Sequence, residues 1–126
     1  MNANDIHQLC LNIINIPKIM TKEGNVSFYS LLRESGYSEM PDRVTMEVIR
    51  EALLEHPDCI NDWIQYSEDQ RCHPTWFFQR NGADYEVGFV SLDTDDVPVT
   101  RYSDPFEACA TFIKQMIERF RLNDNK

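Results

Sequence analysis

Two groups of residues carry side chains that could do chemistry. The first is His56, Cys59, Cys72 and His73. Written in order they read H-x-x-C and then C-H. A zinc site needs four ligands converging tetrahedrally, and common sites supply them from spaced Cys or His pairs. This spacing matches none of those. Adjacent residues of an extended segment point to opposite sides, so Cys72 and His73 are badly placed to share an ion or to form a thiolate–base pair. Cys59 stands beside Ile60 in a helical pattern and reads as a packed thiol. The loop 93-DTDDVPVTR-101 alternates acids but lacks the glycine and distal glutamate of a calcium loop. No G-x-S-x-G, H-E-x-x-H or glycine-rich phosphate loop occurs. The expectation is no catalytic residue, no metal and no cofactor.

The second group is carboxylates. The segment 63-WIQYSEDQR-71 sets Trp63 and Tyr66 beside Glu68 and Asp69 and ends on Arg71. Between Glu51 and Gln70 there are six acids and no Lys or Arg, and between Asp84 and Thr100 there are five more without a base. Acid–base catalysis would need a pocket that shifts a carboxyl pKa. These acids read instead as helix-surface and turn residues. The formal net charge is -9. Such a surface disfavours nucleic acid and anionic membranes, both of which need cations. It favours a basic protein partner, which its field would steer. An acidic chain is also what solubility alone can produce.

The elements that hold these residues follow from periodicity. Apolar residues at helical spacing predict helices over 4–15, 27–35 and from Thr45 to His56, and a fourth opened by Pro57. Pro17 is expected to end the first, and Gly36 the second. Trp63 lies on the apolar stripe of the fourth helix with Ile60 and Ile64, Tyr66 is near the same side, and the acids lie mainly elsewhere around the axis. Arg71, at the helix end, is favourable to the negative pole and within reach of Glu68 or Asp69. The period then changes to two. Residues 75–80 predict a strand, 81-NG-82 a tight hairpin, 85–92 the return strand and 97–102 an edge strand. Asp104, Pro105 and Glu107 read as a helix start, followed by Phe106, Cys109, Ala110, Ile113, Met116, Ile117 and Phe120 on one face. The expected fold class is α+β in one domain over 1–126: short N-terminal helices, a three-stranded antiparallel meander, and a long amphipathic C-terminal helix packed on the sheet. The tail 123–126 is expected to fray. The first residues lack a basic region ahead of an apolar run, so the expected location is the cytoplasm.

The runs 47-EVIREALLEHPDCINDWIQYSEDQR-71, 75-TWFF-78, 85-YEVGFV-90 and 104-DPFEACATFIKQMIER-119 together resemble small bacterial immunity proteins of polymorphic toxin systems, including contact-dependent growth inhibition. The resemblance covers roughly residues 45 to 120. The run 72-CHPT-75 departs from the pattern ahead of the first strand's tryptophan. The resemblance implies a non-enzymatic cytosolic inhibitor of one cognate toxin C-terminal domain, often a nuclease with a basic active site. It also implies that Trp63, Ser67, Arg71 and Trp76 are framework. The expected partner contacts are then the variable acids Asp58, Asp62, Glu68, Asp69, Asp93, Asp95 and Asp96.

Overall fold

The computed structural model describes residues 3–69, 75–90 and 99–124. Among them are six α-helices and a three-stranded antiparallel sheet, an α+β fold. Helix α1 (Ala3–Ile14) buries Ile6, Leu9, Cys10, Ile13 and Ile14. The chain then starts a second helix almost at once, α2 (Ile16–Glu23), where only the end of the first was expected. Pro17 explains both facts. It has no N–H to continue α1, yet a first-turn proline is already set for a new helix. Gly24, at φ 80°, closes α2.

Helix α3 (Phe28–Ser35) is capped by Ser27, whose Oγ accepts from the Ser30 amide at 3.1 Å. Two short 3-10 turns, Tyr37–Glu39 and Pro41–Arg43, lead to α4 (Met46–Glu55), capped in the same way by Thr45. Helix α5 runs Cys59–Asp69, two residues after Pro57.

Strands β1 (Thr75–Asn81), β2 (Asp84–Val90) and β3 (Val99–Tyr102) pair in that order. The hairpin sits one residue later than the Asn-Gly signal suggests. Asn81 still pairs with Asp84, so the two turn residues are Gly82 and Ala83. Gly82 alone takes positive φ, 64°, which suits a turn with glycine at its first central position. Residues 91–98 lie outside the described part, so the expected acidic turn and the start of the third strand are not placed.

Helix α6 (Pro105–Asp124) begins where Asp104 accepts from the Phe106 amide at 2.9 Å. Its buried face, with Ala108, Cys109, Phe112, Ile113, Met116 and Ile117, serves two neighbours. One side meets α4 and the other lies on the sheet, where Phe112 packs 5.7 Å from Phe78. A lysine fixes the 37–44 segment to α6. Lys114 Nζ donates to Tyr37 Oη (2.8 Å) and to the carbonyls of Pro41 (3.1 Å) and Val44 (2.7 Å), and pairs with Glu118 at 3.2 Å. Tyr37 is fully buried and donates to Glu118. Burial and that negatively charged acceptor hold its phenol protonated far above the ordinary range.

Candidate functional site

The surface that the sequence singled out is the outside of α5. Its inside is an anchor. Trp63 is completely buried between Phe28 (5.8 Å) and Phe112 (6.1 Å), edge-on to both. Its indole N–H donates to the Ile14 carbonyl at 3.0 Å. That carbonyl ends α1, where the helix itself offers no partner. Tyr66 stands one turn on, 5.3 Å from Phe28. Ser67 Oγ accepts from the Phe78 amide at 2.8 Å and so ties α5 to β1. Trp76, half-buried, packs edge-on against Phe89, and Arg119 lies over the Phe89 ring at 5.4 Å. Trp63 and Ser67 therefore stand inside the fold, Trp76 borders it, and Arg71 lies outside the described residues.

Asp58, Glu68 and Asp69 are exposed, and Asp62 is half-buried. Asp62 and Asp69, seven residues apart, lie on one side of α5, and Asp58 immediately precedes the helix. From Asp62 to Asp69 that side is about 10 Å long. Its two ends differ. At the N-terminal end Lys18 of α2 donates a hydrogen bond to Asp58 Oδ2 and lies 3.5 Å from Asp62 Oδ2. The Lys18 hydrogen bond holds the Asp58 carboxyl below its ordinary 3.8, and the same bond holds the ammonium above its ordinary 10.5. Asp62 Oδ2 is shielded from water and accepts no hydrogen bond, so the nearby ammonium is what compensates it. At the C-terminal end Asp69 accepts from Gln65 at 3.1 Å, and Glu68 is exposed with no ion-pair partner among the described residues. Both acids there sit against the negative pole of α5, an arrangement that costs stability. Asp93, Asp95 and Asp96 lie outside the described residues.

Lys18 was invisible to pattern reading, since it stands on a helix the sequence did not announce and its partners are 40 and 44 residues away. Glu86 was legible as an acid but not as the centre of a cluster, because its partners come together only once the strand register is known. It lies on the sheet face opposite Phe78 and Val87, accepting from Gln79 (2.7 Å), Asn81 (3.2 Å) and Arg101 (3.1 Å). Gln79, Glu86 and Arg101 are direct cross-strand neighbours. These three donors, Gln79 first, hold its carboxyl below the ordinary 4.5.

The thiols are equally committed. Burial pushes Cys10 and Cys59 up to about 11 and Cys109 well above its ordinary value, so all three are neutral and poor nucleophiles. Among the described residues no three His, Cys, Asp or Glu side chains gather into a metal-binding group. Cys72 and His73 lie outside them. No described helix is long and apolar enough to cross a membrane. Comparison with family models, with curated proteins and with solved structures gives no match for this chain.

Proposed function

We propose that the chain is an immunity protein that binds a cognate toxin domain in the cytoplasm and neutralises it by occupancy, without catalysis. The observation that carries this reading is the acidic side of α5 set on a rigid base. Trp63 and Ser67 lock the helix to α1 and β1, so its acids are presented in fixed positions. Fixed acids of one sign suit the basic surface by which a nuclease holds its substrate. The four runs that carry the resemblance contribute α4, α5, β1, β2 and α6, which pack on one another. The proposed partner is a basic toxin C-terminal domain, with no direct contact to nucleic acid.

The test is to sequence the DNA beside this chain's gene for a large exported protein and to titrate its C-terminal domain isothermally, with rescue of growth in parallel. Nanomolar affinity with rescue is the expected outcome. Folded proteins that give neither heat nor rescue would remove the toxin reading. The charge distribution alone also supports a second reading, an acidic interaction module or adaptor whose basic partner is not a toxin. Binding without toxicity in the partner would favour it.

A further inference from the structure

The outer face of α4 differs from that of α5. Ile49, Ala52 and Leu53 are buried, which points Glu47, Glu51 and Leu54 directly away from the core. Leu54 is 46% exposed and Met46, on the edge of the same face about 12 Å away, is 48% exposed. Glu51 and Glu47 lie about one and two turns before Leu54 on this face and form no ion pair among the described residues. Arg50, the one Lys or Arg within α4, is turned to Asp104 just ahead of α6, at 2.9 Å. Glu55 sits 3.0 Å from His7 Nε2. The face is thus an exposed leucine with two carboxylates on its N-terminal side that are unpaired among the described residues.

We infer that this α4 face, centred on Leu54, is the anchor by which the protein docks its partner, with the acidic side of α5 as a charged border. The inference rests on the immunity reading and specifies the site within it. The occupant is a protein surface with an apolar hollow rimmed by Lys or Arg. Charge complementarity selects it: the carboxylates beside Leu54 repel anionic lipid and nucleic acid, and they pair with cations that a protein can place around a hollow. An apolar side chain entering a pocket inside a charged rim is also the arrangement in which binding energy concentrates.

The experiment is titration of the same neighbouring toxin domain with four variants: Leu54→Lys, Leu54→Ala and Glu51→Lys on α4, and the pair Glu68→Gln/Asp69→Asn on α5. All four positions are exposed, and thermal melts confirm folding. The expected result is a rise in Kd of tenfold or more for Leu54→Lys and Glu51→Lys, a smaller rise for Leu54→Ala, and less than threefold for the α5 pair. Parent-like binding by both Leu54 variants would overturn the inference while leaving immunity intact. A larger loss on α5 than on α4 would overturn it too. Absence of binding by the parent protein itself would overturn the immunity reading, and this inference with it.

Discussion

Helices α4 and α5 follow one another in the chain and both carry exposed acids, yet they do so in different electrostatic company. The acids at the start of α5 meet Lys18, which crosses from α2 to hold Asp58, just ahead of the helix, and Asp62 in its first turn. Glu47 and Glu51 of α4 form no ion pair among the described residues, and Arg50 is taken by Asp104. Counting charges along the sequence therefore misjudges both helices. What a partner feels is the charge left after the fold has paired its own groups. Much of the α5 charge is used to join two helices, whereas the α4 charge is left facing solvent beside an apolar side chain.

The contrast can be broken from the inside first. Trp63→Ala removes the anchor of α5 and leaves the Ile14 carbonyl unpaired. It is expected to lower stability by about 3–5 kcal/mol, read from urea denaturation. Ser67→Ala orphans the Phe78 amide at the α5–β1 joint, and a loss of about 1–3 kcal/mol is expected from the same assay.

Acid titration acts next. Asp58 is lowered chiefly by its Lys18 hydrogen bond, and Glu86 by Gln79, Asn81 and Arg101. In Asp104 and Glu118 burial pulls upward, but Arg50 and the Phe106 amide, and Tyr37 with Arg121 and Lys114, bring the net value down. All four are therefore lowered in the folded state from 3.8 (Asp) or 4.5 (Glu), so the unfolded chain takes up protons first as pH falls. Their stabilisation is complete above those ordinary values and is lost as pH drops through the folded ones. Urea midpoints measured at pH 6, 5, 4 and 3 should show this loss beginning near 4.5. The smallest effect sharpens the comparison best. Lys18→Gln releases Asp58 and Asp62 and should change the melting temperature by only a few degrees. It should steepen the salt dependence of partner binding, measured by titration at two ionic strengths, if the acidic side of α5 borders the interface.

The meander and α6 were legible because their signals are local: a period of two, a glycine turn, and an Asp-Pro start before a repeating apolar face. Helix α2 was not, because Pro17 reads equally as a stop and as a start, and only packing chooses. The acids of the candidate site were legible as a composition, but their partners were not. Lys18 reaches Asp58 across 40 residues, and Lys114 reaches Tyr37 across 77. No periodicity encodes such separations. The projection of Leu54 could be read only after Ile49, Ala52 and Leu53 were known to be buried.

The bond from the Phe78 amide to Ser67 has a consequence for motion. That N–H points away from β2, since it is donated to α5 rather than across the strand pair. An outward amide on a sheet's margin normally trades its hydrogen with water quickly. This one can do so only when the end of α5 lifts off, so its deuterium uptake times the opening of that joint, and slower uptake in a complex would register a partner bearing down on the helix.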